Sequence, residues 1–219
     1  MNQASVDREF RYSCDLLAEA FPGQLVSLFA PQHGLWCQKQ ANMEESGDDV
    51  YLPLNIPVHS LYCETRRPTE TQLAEIDCLI VDLQDVGTRV YTYIWSLLEC
   101  LRACASSGIP VVVLDRPNPL GGRQVEGPVL SESHISFVGG YPMPMRHGLT
   151  IAEVALWLNE VAVARSGQKA NLIVVPMRGW RRSMFFHKTG LPWVAPSPNM
   201  PSVSTTMVFP GQVLLEGTN

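Results

Sequence analysis

Apolar runs of strand length, each followed by polar and ionisable residues, constrain this chain more than any other feature. Three are unbroken: Cys78-Leu79-Ile80-Val81-Asp82-Leu83, Val111-Val112-Val113-Leu114 and Leu172-Ile173-Val174-Val175. None alternates apolar with polar residues, so each reads as a strand buried on both faces, the condition of a parallel sheet. Residues 25–30 read the same way, and residues 57–61 as a further short strand. Helical periods lie between them. In residues 91–107, Ile94, Leu97, Leu98, Leu101, Cys104 and Ala105 make one apolar stripe, and Gly108 supplies the stop. Thr150-Ile151-Ala152-Glu153 is a capping box that opens a helix with Ile151, Val154, Ala155, Leu158 and Val161 inward. Val6, Phe10, Leu17 and Phe21 recur at helical spacing up to Pro22-Gly23, and residues 68–76 read as a short helix. The stretch up to about Leu54 is polar and carries no strand signal. This alternation predicts an α/β fold: a parallel sheet with helices on both faces.

Hydrophobic residues make up 46% of the 219 and charged residues 17%, which is enough apolar surface for a sizeable core. The formal net charge of -5, without a basic stripe, argues against nucleic acid as the main partner. No run approaches the roughly 18 apolar residues of a membrane helix. The N-terminus is polar and shows no signal peptide. The address therefore stays open between cytoplasm and cell envelope. Six cysteines include no Cys-x-x-Cys pair, so they read as buried free thiols in a reducing compartment.

In parallel sheets, ligands bind beyond the carboxyl ends of the strands. Pro31-Gln32-His33-Gly34 follows the first strand. Gln84, Asp85, Gly87, Thr88 and Arg89 follow the run that ends near Asp82, and Asp115-Arg116-Pro117-Asn118 follows the next. The long connection 116–148 adds Glu126, Arg146 and His147. Asp82 and Asp85 straddle a strand end, where two carboxylates can act as acid and base on a sugar. Asp85 can equally form a turn or cap the next helix. Asp115-Arg116 can close a local ion pair, or Arg116 can hold a ligand carboxylate as a planar fork, with Arg89 and Arg146 as rivals. His33 and His147 are candidate proton carriers or plain structural hydrogen-bonders. No His-x-x-x-His or Glu-x-x-His spacing assigns a metal. Gly121-Gly122 lacks the Lys-Ser/Thr of a phosphate loop. Tyr91, Tyr93, Trp95, Trp180 and Trp193 offer sugar platforms or core. Asn199, fixed between prolines in Ser197-Pro198-Asn199-Met200-Pro201, presents an amide or makes a plain turn.

Several of these segments together resemble a known family. Asp82-Leu83-Gln84-Asp85-Val86-Gly87-Thr88-Arg89-Val90-Tyr91-Thr92-Tyr93-Ile94 is similar to the most characteristic motif of the NamZ-type exo-β-N-acetylmuramidases. So are Leu114-Asp115-Arg116-Pro117-Asn118-Pro119 with Gly121-Gly122, Val125-Glu126-Gly127-Pro128, and Tyr141-Pro142-Met143-Pro144-Met145-Arg146-His147-Gly148. Pro196-Ser197-Pro198-Asn199-Met200-Pro201 and Glu216-Gly217-Thr218-Asn219 complete the likeness.

The resemblance implies a Rossmann-like domain joined to a smaller second domain, with a cleft site between them. The division expected is residues 1–120 as the Rossmann-like part lacking its first strand, and 121–219 as the rest of it with long site loops and the start of a cut C-terminal domain. It implies removal of terminal N-acetylmuramic acid from peptidoglycan fragments of bacteria, with no cofactor. A muramic-acid-containing sugar is then the partner, its lactyl carboxylate held by Arg116, Arg146 or Arg89. Gln32, His33, Glu45, Asp82 and Asp85 are the catalytic candidates. Tyr91, Asp115, Asn118, Glu126, His147, Asn199 and Glu216 would line the sugar site. Relatives begin with a strand leading into the equivalent of Asn2-Gln3-Ala4 and continue past Asn219. The expectation is therefore a sheet short of one central strand, with an exposed strand edge.

Position 32 departs from the pattern, because the family has Pro-Glu-His-Gly. A Gln cannot transfer a proton as a carboxyl does. Asn42-Met43-Glu44-Glu45-Ser46 is similar to a stretch in one branch of the family that also carries Gln, which implies Glu45 as the replacement acid; a solvated Glu44-Glu45 pair is the alternative. Cys63 stands where relatives have glycine. Three readings follow: a muramidase-type glycosidase, a catalytically silent binder of peptidoglycan fragments, and a metal-dependent ester hydrolase on the strand-end aspartates.

Overall fold

The computed structural model describes residues 1–37 and 45–216. It is α/β, with a parallel sheet surrounded by helices. Strands β4 (Leu79–Asp82), β5 (Val111–Leu114) and β6 (Leu172–Val175) are parallel neighbours in that order. Their register sets Leu79 beside Val111 and Val111 beside Leu172, so all three end level. Elements on both sides of residue 120 thus share one sheet.

The helices form for the reasons their sequences carry. Helix α3 (Tyr93–Ser107) buries Ile94, Leu97, Leu98, Leu101 and Cys104 at the helical period. Each such aliphatic side chain contributes about 1.5–3 kcal/mol when fully buried. It packs against α4 (Ile151–Leu158), whose Val154, Ala155 and Leu158 are inaccessible to solvent. The α4 box is closed: Thr150 Oγ1 accepts from the Glu153 N–H, and Glu153 accepts from the Thr150 N–H. Val161 lies beyond the end of α4 and is only partly buried. Gly108 ends α3 in the left-handed region, with φ 72°. A Gly108→Ala substitution is expected to cost about 1–2 kcal/mol, because a Cβ there crowds the following carbonyl. A denaturant titration checks it.

Three local expectations change. The first helix runs only over α1 (Ser13–Ala20). Asp7 Oδ1 accepts from the N–H groups of Glu9 and Arg11, and Val6 bridges to Tyr12, so residues 6–12 close a turn instead. Phe10, counted in the helical period, is exposed. The first strand, β1, is short (Leu28–Ala30). The polar stretch contains β2 (Asp49–Tyr51), antiparallel to β3 (Ile56–Ser60). As a half-exposed edge strand it has no apolar run to betray it. A short helix, α2 (Glu70–Leu73), precedes β4.

β1 pairs in parallel with β3, so a second three-stranded sheet runs β1-β3-β2. The strands thus form two separate three-stranded sheets, and among the described residues no strand pairs with the outer edge of β1 or of β4. An open trough of about 540 Å³ is lined by both strands and the segments before them.

The thiols differ in setting. Cys14, Cys100 and Cys104 are buried, Cys37 and Cys63 are half-buried, and Cys78 is exposed, which corrects the expectation for that one. Burial pushes the Cys100 and Cys104 thiols up to about 12, so neither forms thiolate near neutral pH. Among the described residues no helix is long and apolar enough to cross a membrane.

Candidate functional site

The loops beyond β1 and β4 and the segment before α4 meet through specific bonds. Thr92, the residue ahead of α3, donates from Oγ1 to Gln32 Oε1 at 2.7 Å, with both side chains buried. The next residue, His33, is a non-glycine in the left-handed region (φ 74°). Such a conformation costs about 1–3 kcal/mol and persists where surrounding structure enforces it, commonly at functional loops.

Asp85 leaves the end of β4 in a tight turn. Its Oδ2 accepts from the Gly87 N–H at 2.7 Å. Gly87 has φ 78°, and a Cβ there would stand 2.3 Å from Asn118 Oδ1, so only glycine fits. His147 faces this carboxylate, with Nε2 3.6 Å from Asp85 Oδ2. The Leu149 N–H donates to His147 Nδ1 at 3.2 Å, which puts the imidazole proton on Nε2, toward Asp85. Asp85 Oδ1, Thr88 Oγ1, Tyr91 Oη and His147 Nε2 are buried polar atoms without a hydrogen-bond partner. Burial, the main cause, together with the Asp85 carboxylate, pushes the Tyr91 phenol above its ordinary value. Buried polar atoms without a partner are costly, and each needs a physical explanation.

The other strand-end candidates turn inward. Asp82 is bound by the guanidinium of Arg116 through both oxygens, one contact at 2.8 Å, and Arg116 also donates to the Val6 carbonyl. Of the two roles weighed for Arg116, a local ion pair with Asp115 or a ligand fork, the first is replaced by this pairing with Asp82. Asp115 instead accepts from Thr150 Oγ1 and the Ala152 N–H at the start of α4. Its burial pushes its carboxyl above the usual range. Asp85 makes the turn, while the N-cap position falls to Thr92, whose side chain bonds Gln32 and not the helix N-terminus. Arg89 donates to the carbonyls of Pro128 and Met143, pinning the long connection. Arg146 pairs with Glu126 at 2.6 Å and donates to the Leu120 carbonyl. Asn118 bonds Leu149 and Leu120. All three arginines weighed for a ligand carboxylate thus have protein partners already.

Glu45 is exposed and lies 3.8 Å from Arg66, whose guanidinium stacks on Tyr62. Residues 42–44 of its motif, like 217–219 after Glu216, lie outside the described residues. Glu216 and Asn199 are exposed. Asn199 sits on a loop tied down at Pro196, whose carbonyl accepts from Tyr93 Oη at 2.5 Å and from Cys37 Sγ. Tyr93 and Trp95 are core residues, not platforms. The Gly122 N–H donates to the Arg182 carbonyl, and the Gly122 carbonyl accepts from the Arg182 guanidinium, which leaves no phosphate cradle. Among the described residues no three His, Cys, Asp or Glu side chains gather as a metal site, and Asp82 and Asp115 are already engaged. Thr88, named among the strand-end residues without a role, and Thr92 and Ser197, given only inside quoted motifs, are buried polar residues of these loops. For Thr92, between two tyrosines, and Ser197, between two prolines, a polar residue flanked by apolar ones in such a loop is the available signal.

The family model described as Exo-beta-N-acetylmuramidase NamZ, N-terminal, matches residues 1–204. The chain is 45% identical over 218 residues to the Peptidoglycan beta-N-acetylmuramidase NamZ of Bacillus subtilis (strain 168), covering 100% of itself and 51% of that protein. It thus spans about half the length of the curated relative it matches. Two solved structures of DUF1343 family proteins from Bacteroides fragilis NCTC 9343 are similar. One has a TM-score of 0.86 at 36% identity, over 98% of this chain and 53% of that one. The other has a TM-score of 0.82 at 32% identity, over 99% and 55%.

Proposed function

The chain belongs to the NamZ exo-β-N-acetylmuramidase family, and from that premise we propose that it is the strand-end half of a glycoside hydrolase acting on peptidoglycan. Its substrate is a fragment carrying terminal N-acetylmuramic acid, and its site is the cluster around Asp85. One observation carries this reading: among the described residues, Asp85 holds the buried carboxylate oxygen that no donor fills. Asp82 and Asp115 have both oxygens engaged.

In this reading Asp85 Oδ1 exchanges the proton during glycosidic cleavage. His147, whose Nδ1 accepts from the Leu149 N–H, turns its Nε2 toward the other oxygen, 3.6 Å away. Tyr91 and Thr88 bond sugar hydroxyls, which would satisfy their orphaned oxygens. The second group that glycoside hydrolysis requires comes from Glu45 or from chain outside this half. For Glu45 to serve, it must leave Arg66.

A second reading, a sugar-binding module without turnover, is favoured by Gln32. Its Oε1 is fixed by Thr92 as an acceptor, and an amide cannot move a proton as a carboxyl does. The test is hydrolysis of a chromogenic N-acetylmuramide by this chain complemented with the C-terminal half of its curated relative, with Gln32→Glu alongside. Turnover by the unmodified chain is the expected result. Binding without turnover, with activity gained only in Gln32→Glu, would establish the binding module instead.

A further inference from the structure

Arg182 lies outside the cluster around Asp85, yet its bonds lead to it. It stands on the chain beyond β6, and its backbone carbonyl accepts from the Gly122 N–H at 2.8 Å. Its side chain then turns toward the segment before α4. Nη1 donates to the Gly148 carbonyl at 3.0 Å and to the Gly122 carbonyl at 3.1 Å, and Nη2 donates to Glu153 Oε1 at 2.5 Å. The glycine pair 121–122 makes room for this. A Cβ on Gly122 would stand 2.8 Å from Arg182 Nη1 and 3.1 Å from the Gly148 carbonyl oxygen. The glycines that form no phosphate cradle are thus the seat of a guanidinium.

The Gly148 carbonyl and the Leu149 N–H belong to one peptide unit, and in a trans peptide they point to opposite sides. One side receives the guanidinium, and the other donates to His147 Nδ1 at 3.2 Å. A ring nitrogen that accepts an N–H carries no proton. The proton of the neutral imidazole therefore sits on Nε2, which faces Asp85 Oδ2 at 3.6 Å. A charge-assisted bond to the carbonyl polarises the peptide and makes its N–H a stronger donor. The next peptide is held too, since Asn118 Nδ2 donates to the Leu149 carbonyl at 2.9 Å. The N–H that meets His147 is anchored on both flanks, by Arg182 and by Asn118.

We propose that Arg182 is a positioning residue for the Asp85–His147 pair: it grips the Gly148–Leu149 peptide and through it sets the tautomer of His147. Without that grip the peptide is free to rotate, Nδ1 loses its donor, and the imidazole proton divides between the two ring nitrogens. A ring with its proton on Nδ1 turns a bare lone pair toward the Asp85 carboxylate. Two acceptors then face each other, and the ring and the carboxylate move apart. Arg182 acts through the peptide and not on the substrate. Its effect on turnover rests on the proposed role of Asp85; its effect on His147 does not.

The test reads the ring-nitrogen NMR signals of His147 in the isotope-labelled chain, in mildly alkaline buffer where an ordinary imidazole is neutral. His147→Gln identifies those signals by their loss. The unmodified chain is expected to show one tautomer, with the proton on Nε2. Arg182→Ala should move the two nitrogens toward a common shift. Gly122→Ala, whose Cβ displaces Nη1, should do the same with the arginine still present. Glu153→Gln is the control. It removes the ion pair, keeps an acceptor for the Thr150 N–H and leaves both carbonyls to Arg182, so the His147 signals should stay in place. Unchanged signals in Arg182→Ala overturn the proposal. So does an equally large shift in Glu153→Gln, because the tie would then act through the start of α4. In the chain complemented with the C-terminal half, Arg182→Ala should also lower kcat about tenfold or more, with KM within about twofold. A tautomer shift without loss of kcat would uphold the action of Arg182 on His147 and remove Asp85 from the reaction.

Discussion

Asp82→Ala is expected to lose about 3–5 kcal/mol of folding stability, as breaking a buried ion pair from one side does. Asp82 is 4% exposed, and its partner Arg116, partly buried with its side chain 15% exposed, clasps both carboxylate oxygens and the Val6 carbonyl. Removing the carboxylate leaves a guanidinium inside the protein without its counter-charge. The Ser5 hydroxyl bonds the Asp82 backbone, so a loosened β4 end also frees residues 1–6. The double variant Asp82→Leu, Arg116→Met should recover most of the loss, since an apolar pair of similar volume removes both desolvated charges. Urea titration of the three proteins decides the matter. A single variant within about 1 kcal/mol of the parent would show that the pair is not a structural clasp.

Asp85→Asn should leave stability nearly unchanged and reduce turnover by about 10²–10⁴-fold, the usual worth of a positioned proton-transfer group. The amide oxygen can still accept from the Gly87 N–H, so the turn survives. What disappears is the proton-exchanging oxygen that faces no donor. The measurement is kcat for the chromogenic muramide in the complemented enzyme, beside Asp115→Asn. Asp115 lies under α4, so its variant should change stability more than kcat. If Asp85→Asn keeps turnover within a few-fold, Asp85 is a turn residue and the site must be sought elsewhere.

The contrast between these two aspartates shows how far sequence reading reaches. Both stand in one motif, three residues apart, and both were weighed as acid or base. Nothing in the motif says that Arg116 reaches back across the register from β5 to Asp82, because that contact spans 34 residues. Nor does it say that His147 comes to Asp85 from the far end of the long connection. The α3 stripe, its Gly108 stop and the α4 capping box were legible, since each is a local pattern of period or cap. Residues 6–12 were misread for a local reason too: the Asp7 side chain outcompeted the helix for its own backbone donors.

By itself, the sequence determined the α/β class, the parallel strands β4, β5 and β6, and the end of the sheet at which polar residues collect. Burial on both faces and helical period are written in consecutive residues, so they need no tertiary knowledge. Only the tertiary structure decided which polar groups are satisfied. It gave Arg116 to Asp82, Asp115 to α4 and Thr92 to Gln32, and left Asp85 with an open oxygen. Hydrogen bonds and ion pairs form across a few ångströms between segments tens of residues apart, and only the folded chain fixes those distances.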